Sequence, residues 1–492
     1  MTAEHFDVVV VGAGLSGIST GYHLQDRCPD RSYVILEARA AMGGTWDLFR
    51  YPGIRSDSDM HTLGFSFRPW TAAKAIADGP AIRDYVNETA AAYGIDRHIR
   101  YNTRVLRADW STEDARWTVE GTGPGGDPVA YSCNFLCMCS GYYDYARGHA
   151  PVFPGQKNFA GRIVHPQFWP EDMDHAGKRI VVIGSGATAV TLVPALAKTA
   201  AHVTMLQRSP SYVVSRPSRD RFADWLRAKL PAKTAYGLTR WRNVLIGMAL
   251  YKLARARPVD VRARITKAVR AQLGPDYDVA THFNPRYDPW DQRICLVPDS
   301  DLFVAIRSGA ATVVTDTVDR FTPGGIRTGT GTDIAADIIV TATGLDLQLL
   351  SGIVFRIDGV ERDLARSLNY KGMMFSDVPN MASTFGYANA SWTLKADLTA
   401  LYVCRLLNVM RKRGMRQATP RNDDPSVREE PFLSFTSGYV QRAIDRMPRQ
   451  GSRKPWRMNQ NYALDLMALK YGSVDDAMVF SNPEPTRSRA SA

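Results

Sequence analysis

An apolar, β-rich run closed by a glycine turn occurs twice in this chain, and that duplication constrains the fold more than any other feature. Phe6–Val11 runs into Gly12-Ala13-Gly14-Leu15-Ser16-Gly17, then a helical stretch and a second short strand, Tyr33–Leu36. About 170 residues later, Arg179–Ile183 runs into Gly184-Ser185-Gly186-Ala187-Thr188-Ala189, a helical stretch and Val203–Leu206. Each set reads as a β-α-β unit whose first turn can carry a dinucleotide pyrophosphate on a helix N-terminus. Two such units predict an α/β protein with two doubly wound, Rossmann-like dinucleotide-binding domains.

The units differ in what they select. In the first, Gly12 permits the tight turn, Gly14 lets backbone approach a pyrophosphate, and Gly17 lets the helix pack on the strand. Glu37, 25 residues after Gly12, ends the second strand, where a carboxylate accepts hydrogen bonds from both hydroxyls of an unphosphorylated ribose. The first site is therefore expected to hold FAD. The second unit ends in Gln207-Arg208-Ser209 and has no acid there. Arg208 can fork onto a 2′-phosphate that a carboxylate would repel, so NADPH is expected rather than NADH.

A chain of 492 residues is too long for one ordinary core. The expected organisation starts with an FAD-binding domain over residues 1–145 and an interdomain linker over 146–178. An NADP-binding domain follows over 179–340, with a helical insertion at about 216–280. Residues 341–492 return to the FAD domain and add a substrate-side cap. Phe135–Cys139 before Ser140-Gly141, and Asp337–Val340 before Thr341-Ala342-Thr343-Gly344, mark where the chain leaves the first domain and returns. Gly121–Pro128 reads as a hairpin tip, and the polar tail after Asn482 as disordered. No stretch approaches the roughly 18 apolar residues of a membrane span. Phe6–Val11 leads straight into the first turn, so no cleavable signal is expected. The scattered cysteines Cys28, Cys133, Cys137, Cys139, Cys295 and Cys404 make no disulfide framework, so a reducing cytoplasm is expected.

Charge is concentrated in one place. Residues 216–270 hold 15 Lys or Arg against 3 Asp, a net +12 that equals the net charge of the whole chain. Interleaved apolar residues (Trp225, Leu226, Leu230, Trp241, Val244, Leu245, Met248, Leu253) suggest helices with an apolar inner face and a solvated basic exterior. The alternative is peripheral contact with an anionic membrane. Nucleic acid is not expected, because no binding motif accompanies the charge.

Two further segments narrow the chemistry. In flavin-dependent disulfide reductases the region after the first acid carries a redox cysteine pair. Here it reads Gly43-Gly44-Thr45-Trp46-Asp47-Leu48-Phe49-Arg50-Tyr51-Pro52-Gly53-Ile54-Arg55-Ser56-Asp57, without cysteine. Cys133, Cys137 and Cys139 fit a buried strand and lack metal-ligand spacing. Between the nucleotide units lies Phe159-Ala160-Gly161-Arg162-Ile163-Val164-His165-Pro166-Gln167-Phe168-Trp169-Pro170, by spacing alone an aromatic linker with a structural histidine.

That segment resembles, at every defining position, the fingerprint of the Baeyer–Villiger monooxygenases, class B flavoprotein monooxygenases (Phe-x-Gly-x-x-x-His-x-x-x-Trp-Pro). Gly43–Asp57 resembles their second signature. The resemblance runs over nearly the whole chain, closest to mycobacterial members, through blocks such as Asn284–Val297, Tyr370–Met374 and Ala390–Asp397. It implies FAD contacts at Ser16, Glu37, Thr45, Trp46, Asp57 and Val105, with Arg55 and Asp57 near the nicotinamide. NADP contacts are implied at Gly184–Ala189, Gln207 and Arg208. The family's active-site arginine falls on Arg293, with Asp57 as its orienting partner. Spacing alone leaves Arg293 open to an ordinary ion pair with Asp288 or Asp291. Many members carry Lys where this chain has Gln292, which puts one ribose contact in question.

The resemblance implies an FAD- and NADPH-dependent enzyme that inserts one oxygen of O2 into a ketone. The product would be an ester or lactone, formed through a C4a-peroxyflavin, with S-oxygenation of sulfides or thioamides as a second activity. The alternative is a sulfur- or nitrogen-oxygenating flavin monooxygenase without ketone activity.

Overall fold

The computed structural model describes residues 3–483, so most of the tail expected to be disordered lies outside the described residues. The first β-α-β unit sits in a nine-stranded sheet. Its parallel part runs Pro128–Met138, Glu4–Val11, Tyr33–Leu36 and Ile99–Arg100, with Met381–Ser383 also pairing parallel to Pro128–Met138. Val8, Val9 and Val10 are fully buried, as expected for a central strand covered on both faces. Arg116–Thr122 and Arg104–Ser111 extend the sheet antiparallel, and Val354–Ile357 brings the chain back to it. The hairpin tip forms as read, with Gly123 N donating to Asp127 O at 2.7 Å. All six cysteines are buried and unpaired.

The second unit lies in a five-stranded, wholly parallel sheet. Its order is Ala311–Thr315, His202–Gln207, Arg179–Ile183, Ile338–Thr341, Arg162–Val164. The edge strand Arg162–Val164 falls inside the stretch read as linker, so the fingerprint segment is wound onto the second sheet. Its glycine is required by that packing, since a Cβ on Gly161 would lie 2.2 Å from Asp337 O. Phe159 packs against Phe321, and Trp169 is buried in the core beneath the sheet.

The basic segment forms three helices, Arg221–Lys229, Ala232–Ala256 and Pro258–Leu273. Its apolar residues do not all turn inward. Leu226 and Val244 are buried, but Trp225, Trp241 and Leu245 are 57%, 42% and 55% exposed. Among the described residues no helix is long and apolar enough to cross a membrane. Helix Trp392–Arg413 packs along Leu15–Arg27 and shares its core.

Candidate active site

A cavity of about 1220 Å³ runs between the two glycine turns. Of the residues expected at the cofactors, Gly12, Gly14, Ser16, Glu37, Thr45, Trp46, Arg55, Asp57, Val105, Gly184, Ser185, Gly186, Ala187, Thr188 and Arg208 line it. Gln292 and Arg293 line it too. Gly17, Ala189 and Gln207 do not.

The glycines divide by what surrounds them. A Cβ on Gly12 would sit 2.6 Å from Cys139 O, one on Gly17 1.9 Å from Gly12 O, and one on Gly184 2.3 Å from Ala342 O. Those three serve the chain's own packing. Around Gly14 the nearest atom is Gly44 Cα at 3.5 Å, and around Gly186 nothing lies within 4 Å. Protein packing leaves space at both positions, and it opens onto the cavity. Gly14 and Gly186 are also the N-caps of helices Leu15–Arg27 and Ala187–Leu196, neither of which has a side-chain cap or a first-turn acid. Free N–H groups and a partial positive charge thus face the cavity. This is the space and polarity a dinucleotide pyrophosphate requires.

At the first turn, Glu37 accepts from Ala13 N at 2.7 Å and from Arg39 N at 3.0 Å. Burial raises its pKa against those bonds. Ser16 Oγ accepts from Trp392 Nε1 at 2.7 Å, which ties the turn to the C-terminal helix. At the second turn Arg208 is exposed and has no carboxylate partner among the described residues. The buried amide of Gln207 donates to His282 O at 2.8 Å and Thr315 Oγ1 at 2.9 Å, so it supports the strand end. Ala189 is likewise buried inside its helix. An acid does stand nearby, just past the neighbouring strand Ala311–Thr315. Asp316 is held at about 2 by hydrogen bonds, from Thr330 first, and accepts from Thr330 Oγ1 at 2.6 Å and Thr317 N at 2.7 Å.

Arg55, on the cavity wall, also ties two parts of the chain together. Its guanidinium forks onto Asp301, at the start of helix Asp301–Arg307, and so clamps the Gly43–Asp57 segment to the second domain. Only its buried Nε has no partner. Gly53 makes the approach possible, since a Cβ there would lie 2.6 Å from Ala195 Cβ.

The pairing of Arg293 is now decided. Asp291 goes to Arg255 at 2.6 Å and Asp288 to Arg262 at 2.7 Å, both on the basic helices. Arg293 instead has Asp57 at 3.5 Å across the cavity. Asp57 above all, with Tyr142 and Tyr439, raises the Arg293 pKa against the opposing effect of burial. Motif spacing did not point to these tyrosines. Tyr142 Oη lies 2.8 Å from Tyr143 Oη, and the Tyr142 ring stacks on Trp392 at 5.1 Å. Burial pushes Tyr142 up to about 12, so it is a neutral hydroxyl at working pH. For Tyr142 and Tyr143 the signal available was their position directly after Ser140-Gly141, the turn that ends a central strand at the cavity.

A model described as flavin-binding monooxygenase-like matches residues 76–226, and one described as an NAD(P)-binding Rossmann-like domain matches residues 10–80. The chain is 57% identical over 474 residues to the FAD-containing monooxygenase EthA of Mycobacterium tuberculosis, covering 96% of this chain and 97% of that protein. It is 48% identical to the putative FAD-containing monooxygenase MymA of the same organism, covering 97% of both. The chain belongs to the FAD-containing monooxygenases. This monooxygenase shares the fold of a steroid monooxygenase crystallised oxidised and bound to NADP, with a TM-score of 0.73 at 23% identity over 97% of this chain and all of that one.

In this FAD-containing monooxygenase the fingerprint histidine is a clasp. His165 Nδ1 accepts from Gln167 N at 3.2 Å, so Nε2 carries the proton and donates to Gly344 O, also at 3.2 Å. The ring packs against Gly148, where any Cβ would overlap it. Burial lowers the His165 pKa. Its folded value is thus below its unfolded one, so its contribution to stability is present above about pH 6.5 and is lost as pH falls through the folded value. His165→Gln should therefore lower the thermal midpoint at about pH 8, and the gap from the unmutated enzyme should narrow toward about pH 5. A gap that stays constant with pH would show that this ring does not titrate on unfolding.

Proposed function

We propose that this monooxygenase uses NADPH and O2 to convert ketones to esters or lactones, and oxygenates sulfides or thioamides in the same cavity. The supporting observation is the pairing of Arg293 with Asp57 inside the cavity that both glycine turns open onto. FAD would be held by Gly12–Ser16, Glu37, Thr45, Trp46 and Val105, and NADPH by Gly184–Thr188 and Arg208. Bound there, FAD reduced by NADPH supplies one oxygen atom of O2 to the substrate.

The chain's own groups set the conditions. Arg293 remains a cation at any working pH and stabilises the negative charge that develops on the substrate's carbonyl oxygen. Asp57 orients the guanidinium. Tyr142 and Tyr143 keep their protons and stand near Arg293 as neutral hydroxyls. Trp392, stacked on Tyr142 and near Phe385, gives the cavity an apolar wall that limits water.

Two measurements test this reading. Product analysis with linear, cyclic and aryl ketones should find ester or lactone formed with NADPH oxidation. Sulfoxide from sulfides without any ester would overturn the ketone assignment. NADPH should also be preferred to NADH, and Arg208→Ala should cost about 1.5–3 kcal/mol of NADPH binding, tenfold or more in KM, with less effect on NADH. Equal use of both nucleotides by the unmutated enzyme would contradict it.

A further inference from the structure

The basic helices carry a surface that the reaction does not use. From Val244 to Tyr251, helix Ala232–Ala256 has no charged residue, and this run is bracketed by Arg240 and Arg242 on one side and Lys252, Arg255 and Arg257 on the other. Leu238, Trp241, Leu245, Ile246 and Leu250 are all exposed. The patch continues past Trp241, whose ring meets Tyr462 at 5.7 Å, onto a segment exposing Leu464, Met467 and Tyr471. A water-facing surface rarely gathers so many large apolar side chains.

The surrounding charge identifies what covers them. Of the basic residues in 216–270, Arg219, Arg227, Arg240, Arg242, Arg255 and Arg262 pair with carboxylates. The others, among them Lys229, Lys233, Lys252 and Arg257, are exposed without a carboxylate partner among the described residues. Nucleic acid would engage the cations and leave the leucines in water. A second copy of this face would set one group of unpaired cations against another. An anionic bilayer surface satisfies both features, because its headgroups meet the cations while Trp241, Leu245, Ile246 and Leu250 enter the acyl boundary.

We infer that these helices seat the enzyme peripherally on an anionic lipid membrane. The opposite side of the same helix supports the assignment. Val244 and Met248 pack with Tyr387 and Ala390, and both of those line the cavity. An apolar compound dissolved in the bilayer is thus one helix away from the site. The seat is read from the surface alone and stands independently of the ketone chemistry.

The holoenzyme should be sedimented with vesicles of phosphatidylcholine alone and of phosphatidylcholine mixed with phosphatidylglycerol, at low and high salt. Binding to the mixed vesicles should exceed binding to the neutral ones by at least about tenfold, and salt should weaken it. The pair Leu245→Glu and Ile246→Glu, and separately the pair Lys252→Glu and Arg257→Glu, should each lower binding by about tenfold or more with FAD content unchanged. Absence of binding to anionic vesicles at low salt would overturn the proposal, as would unaltered binding by the Leu245/Ile246 variant. A lipid-free dimer that Leu245→Glu dissociates would overturn it in favour of a second copy.

Discussion

Arg240→Ala should destabilise the protein by about 3–5 kcal/mol, the usual cost of breaking a buried ion pair by removing one partner. Arg240 is buried, and its Nη1 donates to Gly64 O at 2.7 Å, His61 O at 2.9 Å and Thr62 O at 3.2 Å. Its Nη2 lies 3.6 Å from Asp397, which also accepts from Ser19 Oγ at 2.6 Å and Ser66 N at 3.0 Å. Burial alone would push Asp397 up, but His23, Arg240 and Ser19 outweigh it and hold the carboxyl at about 2. Truncating Arg240 leaves that charge buried with weaker compensation and strips donors from three carbonyls. It also unfastens the basic helices from the first domain, because the other ends of these bonds lie on the short helix Met60–Leu63 with its cap Gly64 and on helix Trp392–Arg413. Urea unfolding followed by far-UV circular dichroism should show the loss as a lowered midpoint with little change in slope. Arg327→Ala, which breaks an exposed pair with Asp333, should leave the midpoint in place. An unchanged midpoint in Arg240→Ala would show that the network contributes nothing net.

That network was not legible in the sequence, and the reason is physical. Arg240 looked like one more member of a solvated basic run, because helical periodicity gives a stripe but not the surface that the stripe meets. The same ambiguity makes periodicity point Trp241 and Leu245 inward, although both are exposed. Features set by backbone chemistry were legible. The need for Gly12, Gly17 and Gly184 follows from close approach within a few residues of a strand end or across one strand pair, and Glu37 follows from strand length. Side chains whose partners are fixed by crossovers were not. Arg55 meets Asp301 and Gln207 meets His282, both across long stretches of chain, and no local pattern records either contact. Arg293 stands between these cases. Its neighbours Asp288 and Asp291 made a local pair plausible, and only the fold, by assigning them to Arg262 and Arg255, leaves Asp57 as its partner.

The second large effect concerns that residue. Arg293→Ala should fold, retain FAD and accept hydride from NADPH, since the variant leaves both glycine turns and the Glu37 contacts untouched. It should lose ketone oxygenation by about a hundred- to a thousandfold, as removal of a comparable oxyanion donor does. Arg293→Lys should restore little, because a compact ammonium cannot reproduce the planar fork facing Asp57 and the substrate at once. Oxygen consumed by either variant should appear as hydrogen peroxide.

The ratio of ester formed to NADPH oxidised, measured in Arg293→Ala beside the unmutated enzyme, tests the central claim most directly. The ratio should fall to near background in the variant while NADPH oxidation continues and hydrogen peroxide accounts for the difference. A ratio that stays near the unmutated value would show that Arg293 is not the cation on which oxygen transfer depends.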